Sequence, residues 1–487
     1  MSELNNKITT ATKWSAITEI MAKLVSPITT MVLARLLTPE AYGVVATVAM
    51  IISFTEIFSE AGFSRYIIQH EFKDNEDKYK TANVAFITNM VLALFLWGII
   101  AIIRNPLAEW VGNPGLGHVI VIACVSIPIH ALAAIQKALY QRDFDFKTLF
   151  YARIAGILVP FLVTIPLAFH LRSYWALIIG TIVVNASNVL ILTLRSKWKP
   201  NFRYFSFPRL KEMFAFSMWI VLDTILIWFT EYIDIFLVGR YLSEHYLGLY
   251  KTSTNLVGQI VALITATILP IMLPALSRVQ NDKAQMRSMV LKFQKMTGII
   301  LLPLGIGIFM FSDLIVEIML GNQWMEASGF VGLWGLLSAV TIIFSRFCSY
   351  IYPAMGKPRL SVLSQTLHLV ALVPAVMISV HYGFEALYIT RSLIRIEGII
   401  VNLIIAYCLI QITVKHYVYN IFPEVLASLA MAAVAYVLLS VSNSITLSFV
   451  WIVACVIAYF TVLMLFPGEK ALIIELKDKV LKKNKRN

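Results

Sequence analysis

Apolar runs long enough to cross a bilayer occupy nearly the whole chain, and that leaves few folds open to it. Fourteen such segments can be drawn, at 12–36, 40–60, 81–103, 117–139, 148–169, 173–195, 211–238, 246–273, 291–311, 326–352, 360–380, 386–411, 423–441 and 444–466. A membrane-crossing helix needs about 20 mostly apolar residues at about 1.5 Å each. Lipid offers no hydrogen bond to an open backbone, so these runs are expected to be helical. Of 487 residues, 59% are hydrophobic and 14% charged, against about half and about a quarter in soluble domains. The expected fold class is an all-α polytopic membrane protein of about fourteen helices. Pro27, Pro160, Pro166, Pro270, Pro274, Pro303 and Pro374 interrupt the segments. The carbonyls they free need protein or water beside them, so each proline marks a packing kink or a hinge beside a transport path.

Charge sets the expected topology. Of the 40 Lys and Arg, thirty lie at the termini, in the loops after even-numbered segments or at the segment ends that flank them, whereas the opposite side holds only Arg35, Arg104, Arg172 and Arg240. Cationic loops are retained in the cytoplasm, which predicts that both termini are cytoplasmic. The net charge of +13 then reflects topology and attraction to membrane lipids, and calls for no nucleic acid. The basic tail at 469–487, with Lys477, Lys479, Lys482, Lys483 and Lys485, is expected to lie on the inner leaflet. The first twelve residues are polar, with no cleavage site after a short apolar core, so the first span acts as its own signal. Cys124, Cys348, Cys408 and Cys455 are scattered through apolar segments and read as reduced packing residues.

Signatures of catalysis do not accompany this pattern. The sequence carries no G-x-x-x-x-G-K-[ST], H-E-x-x-H or G-x-S-x-G motif, whose spacings serve phosphate, zinc and nucleophile chemistry. No cofactor and no metal site is expected. The longest outer loop, 104–117, spans about fourteen residues, whereas polysaccharide polymerases and glycosyltransferases generally need more structure outside the membrane. The chain is therefore read as a non-enzyme.

The sequence repeats itself. Residues 34–43 align without gaps to 239–248, an offset of 205, with the Arg, one Leu, a small hydroxyl residue and the Gly coinciding. Residues 109–113 echo 317–322 with one insertion, and 170–177 resemble 381–387. Six spans per repeat is an even number, which predicts two parallel lobes related about the membrane normal, with a substrate path between them. The expected organisation is an N-terminal six-helix lobe at 1–200, a C-terminal six-helix lobe at 201–415, a helix pair at 416–468 and the tail.

The stretch Leu33-Ala34-Arg35-Leu36-Leu37-Thr38-Pro39-Glu40-Ala41-Tyr42-Gly43, followed by Ala61-Gly62-Phe63-Ser64, resembles the opening of the oligosaccharide flippases of the multidrug/oligosaccharidyl-lipid/polysaccharide exporter superfamily. Gln141-Arg142-Asp143-Phe144-Asp145-Phe146 and Asp234-Ile235-Phe236-Leu237-Val238-Gly239-Arg240 are similar to that family as well, as are Leu247-Gly248-Leu249-Tyr250, Leu269-Pro270 and Pro274-Ala275-Leu276-Ser277-Arg278. The resemblance covers about the first 410 residues and implies a flippase of surface polysaccharide export in the bacterial cytoplasmic (inner) membrane. It would move undecaprenyl-diphosphate-linked oligosaccharide repeat units, for lipopolysaccharide or exopolysaccharide, from the cytoplasmic to the outer leaflet by alternating access. A polysaccharide polymerase and export machinery are the partners it suggests. A cation-coupled multidrug efflux transporter of the same superfamily is the alternative, and a membrane polymerase the third reading.

Twelve charged residues fall well within the segments, away from their ends: Glu19, Lys23, Glu56, Arg153, Asp223, Glu231, Asp234, Lys251, Arg346, Arg391, Arg395 and Glu397. Each costs about 3 kcal/mol in lipid at the bilayer centre, so most must face protein or a watery cavity. Glu19 and Lys23, four residues apart, can satisfy each other. Arg391 and Arg395 share one helical face, with Glu397 on another, and like charges there ask for an anion. Glu231 and Asp234 could provide it, or a passing diphosphate could, since the planar guanidinium donates two parallel hydrogen bonds to phosphate. The cations Lys23, Arg153, Lys251, Arg346, Arg391 and Arg395 are therefore the candidate substrate-binding residues. The carboxylates Glu19, Asp223, Glu231 and Asp234 are candidates for ion coupling or for pairing. Trp219, Trp228 and Trp334 could stack on sugars or simply pack, whereas Trp110, Trp175 and Trp324 are expected as interfacial anchors.

Overall fold

The structure is a computed structural model that describes residues 2–60, 62–201, 204–357, 359–442 and 444–470. The helices relevant to function are α1 (Ser2–Leu36), α2 (Pro39–Glu60), α3 (Phe63–Gln69), α4 (Asn75–Ile102), α5 (Ser126–Arg142), α6 (Phe146–Val159), α7 (Trp175–Arg195) and α8 (Phe207–Tyr241). They continue with α9 (Glu244–Arg278), α10 (Lys283–Met310), α11 (Ser328–Thr341), α12 (Arg359–Ser379), α13 (Phe384–Leu393), α14 (Arg395–Ile410), α15 (Phe422–Val441) and α16 (Ile445–Leu463). Among the described residues twelve spans are long and apolar enough to cross a membrane, or thirteen if the bent α9 is one of them. The protein is thus an all-α, multi-pass membrane protein. The predicted segment 211–238 lies within the 35-residue α8. The basic tail beyond residue 470, with Lys477, Lys479, Lys482, Lys483 and Lys485, lies outside the described residues.

Several distortions are visible, and those at Pro160 and at Pro270 and Pro274 have a covalent cause. α9 bends by 47° between Ala266 and Ile271, where Pro270 and Pro274 remove backbone donors. A π-helical turn at Pro160–Thr164 follows α6, and a second, at Ile342–Arg346, follows α11. Pro27, Pro303 and Pro374 are accommodated inside α1, α10 and α12.

Outward faces carry apolar rows, as a lipid solvent requires. On α14, Ile396, Ile400 and Ile404 are 42%, 53% and 57% exposed, while Ile399, Asn402, Ala406 and Ile410 are buried. The four-residue spacing of the exposed set places it on one helical face.

The chain forms two compact units. The first comprises 1–252 with 319–323 and 376–384; the second comprises 253–318, 324–375 and 385–487. In the first, α5 packs on α4 and α7, α6 on α1 and α7, and α2 on α8. In the second, α10 packs on α11 and α15, and α15 on α16. The C-terminal pair is seated by Ala427, Met431, Ala435, Cys455, Tyr459 and Leu463 against Ile299, Phe311 and Leu314. Trp324 is fully buried, so it is a packing residue and not the interfacial anchor expected from its position. Trp110, 60% exposed, does present its ring outward.

The repeated motif marks a close backbone crossing inside the first unit. A methyl carbon at Gly43 would stand 1.9 Å from the Glu244 carbonyl oxygen, and one at Gly248 would stand 1.8 Å from that of Pro39. The Glu40 carboxylate and His245 Nδ1 meet at 2.6 Å. The internal alignment makes Gly43 equivalent to Gly248 and Pro39 to Glu244, so it exchanges the first two contacts, and the third joins the equivalent positions 40 and 245. The starts of α2 and α9 therefore touch reciprocally, and only a hydrogen side chain fits at either contact.

Residues 141–146 are a joint rather than a ligand site. Arg142 Nη1 donates to the carbonyls of Ile67, Ile68 and His70 at 2.9, 3.0 and 2.6 Å. Those carbonyls close α3, which ends without intrahelical partners of its own. Asp143 pairs with Lys78 at 3.1 Å, Phe144 takes φ 57° to turn the chain, and Asp145 accepts from the Thr148 backbone N–H to cap α6. Arg142→Ala would strand three carbonyls and is expected to cost about 2–4 kcal/mol, read as a lowered Tm in the detergent-purified protein. An unchanged Tm would show that water replaces the guanidinium there.

Candidate functional site

In the second unit the structure brings Arg391 and Arg395 together in a way the sequence did not anticipate. α13 ends at Leu393 and α14 begins at Arg395, so the two arginines straddle a break and not one continuous helix. Both guanidiniums nevertheless lie over the Trp334 indole of α11, with carbon-to-centroid distances of 5.1 Å for Arg391 and 3.4 Å for Arg395. The electron-rich ring face attracts each cation and partly offsets their mutual repulsion. Arg395 Nη1 donates to Ser338 Oγ at 2.6 Å, and Ser338, one turn beyond Trp334, donates in turn to the Trp334 carbonyl. Arg391 is only 8% exposed. Glu397 is not their partner: its Oε2 meets His368 Nδ1 of α12 at 2.9 Å. The remaining candidate cation of this unit, Arg346, is exposed and closes the π-helical turn at Ile342–Arg346.

Trp334 was foreseen only as a sugar platform or packing residue. Ser338 and His368 carried no signal at all, since contacts between residues 57 and 29 positions apart leave no periodic trace.

The first unit holds the other candidates. Lys23 Nζ and Glu19 Oε2 stand 4.0 Å apart along α1. Arg153 of α6 is exposed and lines a cleft of about 390 Å³ with Ser26, Thr29 and Thr30 of α1 and Asn188 of α7. The rest of the lining, with Ala22, Val25, Leu33, Ile157, Leu177 and Val184, is apolar, so the cleft sets one guanidinium and a few hydroxyl and amide groups in largely hydrophobic walls.

Lys251 closes an aromatic file in the same unit. Its ammonium lies 5.3 Å from the Tyr232 ring centroid. Tyr232 stacks on Trp228 at 5.3 Å and 14°, and Trp228 packs on Phe54 at 4.8 Å. The Trp228 indole N–H donates to Ser53 Oγ. Asp234 is buried and accepts from the Tyr250 hydroxyl at 2.6 Å, and Glu231 is exposed. Glu56 meets His130 at 3.2 Å. The side chains of Asp223 and Trp219 lie outside the described residues. Beyond the spans, burial and then the Glu212 carboxylate, which accepts from Tyr66 Oη at 2.7 Å, push the Tyr66 phenol upward.

The class the structure defines is an all-α, multi-pass membrane bundle with charged side chains inside its spans. A solved lipid II flippase MurJ in an inward closed conformation shares the fold at TM-score 0.73 and 15% identity, over 94% of this chain and 99% of that one. The profile of the family described as polysaccharide biosynthesis protein matches residues 32–329, and the chain belongs to that family. A membrane protein in the cps region of Klebsiella pneumoniae is 22% identical over 77% of both chains. The succinoglycan biosynthesis transport protein ExoT of Rhizobium meliloti is 22% identical over 69% of this chain and 67% of its own.

Proposed function

We propose that the protein is a flippase for surface-polysaccharide precursors, moving an undecaprenyl-diphosphate-linked oligosaccharide from the cytoplasmic to the outer leaflet of the bacterial cytoplasmic membrane. The carrying observation is the pair of guanidiniums presented on one indole, a fork for two adjacent phosphates. Family membership and the transport role named for ExoT support the same substrate class. In this reading Arg391 and Arg395 hold the diphosphate, while Lys23, Arg153, Lys251 and Arg346 offer it successive contacts as access alternates. The polar groups of the cleft beside Arg153 and the Trp228–Tyr232 file suit sugar rings. The chain is then a transporter and not an enzyme, takes no cofactor, keeps both termini in the cytoplasm, and hands its product to a polymerase and export machinery.

Efflux of cationic drugs is the second reading, and it would draw on Glu231 and Asp234. Asp234 is buried and already accepts the Tyr250 hydroxyl and the Ile235 backbone N–H, which leaves little for a bulky cation.

Reconstitution separates the two. Proteoliposomes loaded with a fluorescent polyprenyl-diphosphate oligosaccharide should show protein-dependent exposure of the headgroup to a membrane-impermeant quencher. Failure to expose it, with insertion verified and with a cationic dye expelled instead, would replace the first reading by the second.

A further inference from the structure

A second group of buried charges lies at one end of the C-terminal helix pair, apart from the arginines. Glu424 is the third residue of α15 and 0% exposed, and Glu469, six residues past α16, is 1% exposed. Lys295 of α10 reaches Glu469 Oε1 at 2.5 Å. Glu469 Oε2 and both oxygens of Glu424 are buried with no hydrogen-bond partner, and the two carboxyls face each other. Ser428, one turn along α15 on the face of Glu424, also buries a hydroxyl without a partner.

Among the described residues, the surrounding elements bring no further cation to the pair. On α10, Gln294 is engaged with the Tyr417 carbonyl and the Asn420 amide. On α16, the Tyr459 hydroxyl donates to the Ile299 carbonyl. In the short helix Val414–Asn420, His416 is bonded to Thr413, and Lys415 lies over the Tyr419 ring.

One ammonium cannot balance two buried carboxylates. An uncompensated carboxylate out of water costs several kcal/mol, and two carboxylates offer each other acceptors only. A proton resolves both problems, because a carboxylic acid donates to its neighbour's free oxygen while Lys295 neutralises the charge that remains.

We propose that Glu424 and Glu469 form a proton-binding site, sharing one proton beside Lys295, and that this proton fastens the C-terminal helix pair to α10. The site takes a proton rather than a metal ion, and it stands whether or not the substrate reading holds. The sign follows from linkage. The folded state still holds at neutrality a proton that the unfolded chain has released at ordinary carboxylate values, so the stability it contributes is greatest at low pH and falls as pH rises.

The test uses the full chain in lipid nanodiscs, read by infrared difference spectroscopy and by Tm as pH rises from about 6 to about 9, a range well above ordinary carboxylate values. A protonated-carboxyl stretch should be present at low pH, fade as pH rises, and be missing in Glu424→Gln. That variant keeps a donor in place of the acid O–H, so it should fold and lose the pH response of Tm. Glu469→Gln provides a second folded variant with the same expected loss. The proposal is overturned by a band that survives both substitutions, by an unaltered pH response in both, or by loss of the band on adding Na⁺ at constant pH.

Discussion

Replacing Arg391 and Arg395 together with Gln lowers headgroup translocation by about 10²-fold or more in proteoliposomes. Each guanidinium–phosphate contact is worth about 1.5–3 kcal/mol, and about 1.4 kcal/mol is a factor of ten. Single substitutions should therefore cost roughly tenfold, and lysine should restore only part, because it keeps charge but loses the planar fork. Trp334→Leu leaves both cations in place and removes their shared ring. A cation–π contact contributes about 0.5–2 kcal/mol, so a several-fold loss is expected, smaller than that of the double variant. Full transport by a correctly inserted double variant would exclude these arginines as the diphosphate site.

The second large effect is expected at the crossing of α2 and α9. Gly43→Ala and Gly248→Ala each push a methyl group into a carbonyl at 1.9 or 1.8 Å, and no side-chain rotation relieves a clash with backbone. Overpacking of this kind costs about 1–3 kcal/mol, or roughly 2–4 °C in Tm per kcal/mol for a unit of this size. Because the two contacts are reciprocal, parting the helices once relieves both. The double variant should then lose distinctly less than the sum of the singles. Strict additivity would mean that the two glycines are accommodated independently.

The architecture was largely legible because bilayer thickness imposes its own period. Twenty-residue apolar runs and the asymmetry of Lys and Arg describe a membrane bundle without reference to any contact. The prolines at 160, 270 and 274 announced distortions that the structure displays as a π-turn and a 47° bend, since a missing N–H is a local, covalent fact. The repeated decapeptide was visible as likeness, but its physical cause was not. Gly43 and Gly248 recur because each meets the other's helix, a relation between positions 205 apart.

The candidate site was legible by residue type and opaque in arrangement. Charges at 391 and 395 stood out against an apolar background, yet the break at Ile394, the shared indole and the His368–Glu397 bond depend on tertiary packing. Glu424 and Glu469 escaped notice for another reason. Both sit at segment ends, where a carboxylate usually meets water, and nothing local indicates that packing has sealed them off.

The π-helical turn at Ile342–Arg346 has a consequence for how this chain tolerates change in length. Removing one residue there would shorten the span by only about 1.5 Å, which a bilayer absorbs by a slight tilt. A π-turn holds one residue more than the α-turns on either side of it, so the deletion would convert it to regular α-helix and leave later side chains near their present azimuth. A one-residue deletion is thus absorbed at this turn, whereas the same deletion in the regular helix of α11 would rotate every side chain between it and the turn through about 100°.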